Sequence, residues 1–154
     1  MSLAYMAGTH QRIEWLGNST MELLLDAEAT EGQVFMSRTS LLAGDASPVH
    51  LHANEDEIFL VLEGSAIFWF GDERYDLDTG GVVYLPRNVP HAYRMTADTE
   101  LLTICTPAGA ERFFRAAGHD VTTPKPSDWE LTPATLAAAA EATGVQILGP
   151  PRSA

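Results

Sequence analysis

The stretch His50-Leu51-His52-Ala53-Asn54-Glu55-Asp56-Glu57-Ile58-Phe59-Leu60-Val61-Leu62 carries two of the chain's five histidines and opens directly onto an apolar run. Residues two apart on a strand point to one face, so His50 and His52 project together. The turn from Ala53 to Asp56 brings Glu57 into the next strand beside them, and alternation from Glu57 puts Phe59 and Val61 on the same inward face. Glu55 and Asp56 are carboxylates too; Glu57 is preferred because it begins the apolar strand. Further on, Pro86-Arg87-Asn88-Val89-Pro90-His91 supplies a third imidazole on a neighbouring strand. Three ring nitrogens and one carboxylate oxygen suit a single divalent transition-metal ion (Mn, Fe, Co, Ni or Zn) and leave one or two positions open for water or substrate. A lone His-x-His pair on an edge strand is ordinarily surface decoration. Here the glutamate and the later histidine, both in turn-and-strand contexts, favour convergence.

Outward from that segment, the chain reads as short strands punctuated by turn residues. Runs at 21–25, 33–42, 57–62, 65–70, 73–77, 82–85, 91–95 and 100–105 are rich in β-branched, aromatic or long apolar residues. Gly71-Asp72 between two of them is a two-residue hairpin connection, and Glu63-Gly64 a second tight reversal. No run before residue 107 sustains a helical period for three turns, so the pattern predicts an all-β antiparallel sandwich or barrel. Past 107 the composition changes. Ala110, Phe113, Phe114 and Ala117 recur at i, i+3, i+4 and i+7, which predicts a short amphipathic helix over 109–117 stopped by Gly118. Thr132-Pro133 supplies the cap and first turn of a second helix, which runs to Thr143 and ends at Gly144. Gly149, Pro150 and Pro151 read as a frayed tail. The expected layout is thus one domain: N-terminal strands or an arm over 1–30, a barrel over 31–106, and short C-terminal helices over 107–154 packed on it. Arg112 and Arg115 fall on the wet face of the first helix, and Phe113 and Phe114 suit a lid over the barrel mouth.

The 154 residues carry nine Lys plus Arg against twenty-one Asp plus Glu, a formal charge of −12, which argues against nucleic acid and anionic membrane surfaces as partners. Cys105 is the only cysteine, which excludes an internal disulfide framework and a thiolate-rich zinc site, and it reads as a small core residue. With no charged segment leading into an apolar stretch at the N-terminus, no signal peptide is expected, and the cytoplasm is the expected location. His10 and His119 read as structural.

The two histidine segments resemble the paired motifs of the cupin superfamily. Gly44, His50, His52, Glu57 and Gly64 stand at every anchor of the first motif. The second is matched at Gly80, Pro86 and His91, with Asn88 and Met95 replacing its second glycine and its closing asparagine. Asparagine tolerates positive φ, so the turn at 88 is expected to survive the change. The resemblance implies a cupin-type antiparallel jelly-roll β-barrel, with His50, His52, Glu57 and His91 as metal ligands. It also implies a homodimer, since N-terminal strands of such proteins often cross to a partner. A narrower similarity, through Val89-Pro90-His91-Ala92-Tyr93-Arg94 and the helical segments after the barrel, is to bacterial single-domain cupins related to quercetin 2,3-dioxygenase. That resemblance implies a metal-dependent dioxygenase using O₂ on a flavonol-like or other enolisable or aromatic hydroxyl compound, with Glu57 as the base that takes the hydroxyl proton. Phe59, Tyr84, Tyr93, Phe35 and Phe68 are the candidates to line an apolar substrate pocket and stack a planar ligand. The alternatives are a metal-dependent isomerase, cyclase or lyase of a small carbonyl compound, and a non-catalytic small-molecule-binding barrel.

Overall fold

Period-two burial organises the chain. In the computed structural model, which describes residues 4–6, 8–16 and 19–154, Phe35, Ser37, Thr39 and Leu41 alternate inward from one strand, and Glu57, Phe59 and Val61 from another. The elements, in chain order among the described residues, are β1 (Gln11–Glu14), β2 (Thr20–Leu25), α1 (Ala27–Thr30), β3 (Phe35–Leu41), β4 (Val49–His52), β5 (Asp56–Glu63), β6 (Ser65–Phe70), β7 (Glu73–Asp78) and β8 (Val82–Leu85). They continue with β9 (His91–Met95), β10 (Thr99–Thr106), α2 (Glu111–Ala117), β11 (His119–Asp120), α3 (Pro133–Thr143) and β12 (Val145–Gly149). Two antiparallel sheets result, ordered β11-β1-β2-β3-β10-β5-β8 and β12-β4-β9-β6-β7. This is the mostly-β jelly roll that the strand pattern and the paired motifs led us to expect.

Between the sheets, Leu41, Phe59, Val61, Phe68, Leu85, Met95 and Leu101 form one buried cluster. A second forms under the helices from Ile13, Trp15, Phe35, Phe113, Phe114 and Leu136. Burying side chains of this size is worth about 1.5–3 kcal/mol each. The turns follow local chemistry. Gly71, at φ 58°, and Asp72 join β6 to β7 with Phe70 opposite Glu73, as their two-residue spacing predicts. Gly64 instead carries the chain from one sheet to the other at φ 92°, where a Cβ would sit 2.2 Å from the Asp98 carbonyl oxygen. Asn88 adopts φ 63°, so the motif's turn is kept without its glycine.

Strands β1 and β2 account for part of the N-terminal arm; β2 pairs with β3 of its own chain, and residues 1–3, 7, 17 and 18 of that arm lie outside the described residues. The C-terminal region departs from expectation in three ways. It is not only helical, because β11 extends one sheet and β12 the other. Its tail does not fray: β12 pairs with β4, Arg94 donates to the Arg152 carbonyl at 2.8 Å, and Arg152 donates to that of Gly71 at 3.1 Å. Gly118 ends α2 with an extended backbone, φ −82°, and not in the left-handed region. Its glycine is required because a Cβ there would lie 2.1 Å from Ile13 Cγ2. Helix α3 starts as read, with Thr132 and Thr135 forming a capping box on either side of Pro133 and with Gly144 left-handed at its end. Arg112 and Arg115 are exposed on α2, and Arg115 pairs with Asp26 at 2.7 Å. No helix among the described residues is long and apolar enough to cross a membrane.

Candidate metal centre

The ligand candidates meet at one end of the barrel from both sheets. Adjacent strands β4 and β9 pair at His50 and His91, so those imidazoles lie side by side with ring centroids 4.3 Å apart. His52, two residues along β4, stacks on His91 at 5.6 Å and 8°. Glu57 arrives from β5 of the facing sheet. Ligand atoms of His50, His52, Glu57 and His91 all lie within 4.8 Å of one another. His52, Glu57 and His91 are each 3% exposed, while His50 is half-buried as a residue with its ring sunk among the other imidazoles.

The hydrogen bonds around the cluster decide which nitrogens face its centre. His50 Nδ1 lies 2.8 Å from the Pro48 carbonyl oxygen and His91 Nδ1 3.0 Å from that of Val89. Carbonyls only accept, so both Nδ1 atoms carry the proton and both Nε2 atoms present lone pairs inward. His52 Nδ1 is held in the same sense by the buried Glu55 carboxylate at 2.7 Å. Glu57 Oε2 then sits 3.1 Å from His91 Nε2 and 3.5 Å from His52 Nε2. Neutral imidazole lone pairs facing a carboxylate repel unless a cation lies between them, so this donor set fits a divalent ion. Without an ion the cluster shares protons. Burial pushes the Glu57 carboxyl up, but the three imidazoles outweigh it and hold it at about 2. Burial and the neighbouring His91 and His52 press His50 down to about 3, whereas Glu57 and Glu55 overcome the burial of His52 and raise it.

These shifts give a pH dependence for metal-free protein. The unfolded chain protonates His50 near its ordinary 6.5 and the folded chain only near 3, so its contribution is full above 6.5 and is lost as pH falls toward 3. Glu57 adds a loss of the same sign from its ordinary 4.5 down to about 2. His52, raised when folded, has its contribution in full below 6.5 and loses it as pH rises through its folded value, so it offsets a part of the loss near pH 7 that the larger shift of His50 outweighs. Chelator-treated protein is therefore expected to show a lower urea midpoint at pH 4 than at pH 7. An unchanged midpoint would contradict the buried, coupled arrangement.

One site residue escaped the sequence reading, and Cys105 lies beside the site as the core residue expected. Glu55 stands three residues past His52 in the same turn, the one signal of its role in the sequence; at 4% exposed it positions His52. Glu55→Ala is expected to weaken binding of Co(II) about 10–100-fold in a calorimetric titration, with Gln, which still accepts from Nδ1, restoring part of it. Cys105 pairs across from Glu57 in the β5–β10 register, its Sγ 4.0 Å from Glu57 Oε1. Burial first, then the nearby carboxylates, push its thiol well up, so it remains a protonated core residue.

Above the cluster lies a narrow cavity of about 40 Å³, lined largely by apolar side chains. Phe59 and Tyr93 line it, with their rings edge to face at 5.7 Å. The other three pocket candidates fall elsewhere. Tyr84 is 56% exposed and points outward, because Leu85 pairs with Glu57 on the inner face of β8 and leaves Tyr84 opposite the outer Ile58. Phe35 and Phe68 are fully buried but stand behind the lining, Phe35 against Phe114 and Phe68 behind Phe59. The cavity is closed instead by Phe113, Phe114, Leu136, Val145 and Ile147, so α2, α3 and β12 roof it.

Comparison with known proteins agrees with this architecture. The cupin domain profile matches residues 37–107. Quercetin 2,3-dioxygenase of Bacillus subtilis is 27% identical over 103 residues, covering 66% of this chain and 31% of that protein, so the chain spans less than a third of its relative's length. KdgF from Halomonas sp. superposes with a TM-score of 0.62 at 14% identity, over 70% of this chain and 96% of that one. A predicted oxalate decarboxylase from Thermotoga maritima superposes at 0.61 with 23% identity, over 68% and 99%. The profile runs through every strand that supplies a ligand candidate, so residues 37–107 match a cupin domain, and the solved structures share its barrel fold.

Proposed function

We propose that the chain is a metal-dependent dioxygenase of a flavonol-like or other enolisable aromatic hydroxyl compound, with His50, His52, Glu57 and His91 holding one divalent ion. The observation that carries this reading is the set of inward Nε2 lone pairs facing the Glu57 carboxylate beneath an aromatic cavity. The name of the Bacillus subtilis relative supplies the reaction class. When bound, the ion supplies a Lewis acid for a hydroxyl or enolate oxygen and, if redox-active, a centre for dioxygen. Everything else falls to the chain. Glu57 Oε2 is engaged by His91 and His52, whereas Oε1 has only the distant thiol of Cys105, so Oε1 is the oxygen free to receive the substrate's hydroxyl proton. That O–H bond breaks, its electron pair stays on the substrate oxygen, and the carboxyl carries the proton. Phe59 and Tyr93 hold a planar ring by edge and face contacts, and the roof of Phe113, Phe114 and Leu136 keeps bulk water off the enolate.

The test is oxygen uptake with a flavonol on protein reloaded in turn with Mn, Fe, Co or Ni. Uptake stoichiometric with flavonol loss supports the proposal. Substrate loss under nitrogen would replace it with Lewis-acid isomerase, cyclase or lyase chemistry. Tight flavonol binding with no turnover on any metal would make the protein a binding barrel.

A further inference from the structure

Beyond the ligand cluster, part of the cavity wall is polar. Strand β3 turns Ser37 and Thr39 inward at 0% and 3% exposure, and neither hydroxyl has a hydrogen-bond partner among the described residues. Thr39 lines the cavity, and Thr103, directly across from Ser37 on β10, lines it as well. Trp15, 4% exposed, lines it too, with an indole N–H that also lacks a partner among the described residues. Burial pushes the Tyr93 hydroxyl well up and the Trp15 N–H beside it draws it back only in part, without closing a hydrogen bond. Buried polar groups are nearly always satisfied, so an unpartnered donor and an unpartnered hydroxyl on the wall of one cavity point to a ligand that satisfies them.

Their distance from the ligand cluster sets the ligand's length. Glu57 pairs with Cys105, and Thr39 with Leu101 on the same strand. Four residues separate those levels, about 13 Å of strand. A compound with its hydroxy-ketone oxygens at the cluster and a second oxygen roughly 6–9 Å beyond them spans the interval once side-chain reach at both ends is allowed for. Resting on the reading of the site as a metal-dependent pocket for enolisable hydroxyl compounds, we propose that Trp15 Nε1 and Thr39 Oγ1 form a second recognition point. It takes a phenol oxygen at the far end of a flat, otherwise apolar hydroxy-ketone. Such an oxygen accepts from the indole N–H and donates to the threonine hydroxyl, so both orphaned groups are paired at once.

Two probes isolate this contact. 3-Hydroxyflavone and 3,4′-dihydroxyflavone share the hydroxy-ketone end and differ by one distal hydroxyl. Titrated anaerobically into full-length protein loaded with Ni(II), the dihydroxy compound is expected to bind about tenfold more tightly. Thr39→Val and Trp15→Phe are each expected to erase most of that preference while the metal content measured by elemental analysis stays the same. Equal affinities in the wild type, a preference that survives both substitutions, or failure of both flavonols to bind nickel-loaded protein would overturn the proposal. Loss of the metal-binding reading is recognised separately. If elemental analysis finds no nickel retained, the same titrations into metal-free protein still report whether the distal hydroxyl is preferred and whether Thr39→Val removes that preference.

Discussion

His52→Ala is expected to abolish stoichiometric binding of a divalent transition ion. The substitution removes one inward Nε2 and frees Glu55, which His52 Nδ1 holds at 2.7 Å. It leaves Glu55 and Glu57, 4% and 3% exposed, without the imidazole between them. Loss of a ligand should exceed the 10–100-fold that an outer partner costs. For wild type, Co(II) at a hundred times its dissociation constant should stabilise the fold by about 2.7 kcal/mol; for the variant, the gain should vanish. Urea denaturation with and without Co(II) reads both. An equal gain in the two proteins would place the ion somewhere other than this cluster.

Phe114→Ala is expected to cost about 3–5 kcal/mol of stability and yet leave the ion in place. The ring is 8% exposed and packs on Trp15 at 4.9 Å, Phe113 at 5.6 Å and Phe35 at 5.7 Å, so its removal empties the centre of the cluster under the helices. The ligand candidates stand on β4, β5 and β9, none of which depends on that ring for its register. A urea midpoint well below that of wild type, together with unchanged cobalt content, is the expected pair of results. Parallel loss of both would mean that roof and ligand cluster are one cooperative unit.

What the sequence disclosed and what it withheld have physical reasons. His50, His52 and Glu57 could be placed together because a strand alternates and a short turn returns the chain to its neighbour, both local properties. The same holds for Gly71-Asp72 and for the Thr132 cap, whose partners lie within three residues. Tyr84 could not be placed that way. In Val82-Val83-Tyr84-Leu85 either phase of alternation presents apolar side chains inward, and the choice is made by pairing with β5, more than twenty residues earlier. β12 was hidden for a related reason: Val145–Gly149 is short and followed by two prolines, and it becomes a strand because β4 offers it an edge. The cavity roof and its polar wall combine Trp15, Thr39, Phe114 and Leu136, which are brought together only by the closed barrel.

The central claim is that three imidazoles and Glu57 form a site for one divalent transition ion. Elemental analysis of protein purified without chelator, loaded with Mn, Fe, Co or Ni and freed of excess by gel filtration, tests it most directly. One ion per chain, lost in His52→Ala, is the predicted result; protein that retains none of these metals, or retains the same amount after His52→Ala, would contradict it.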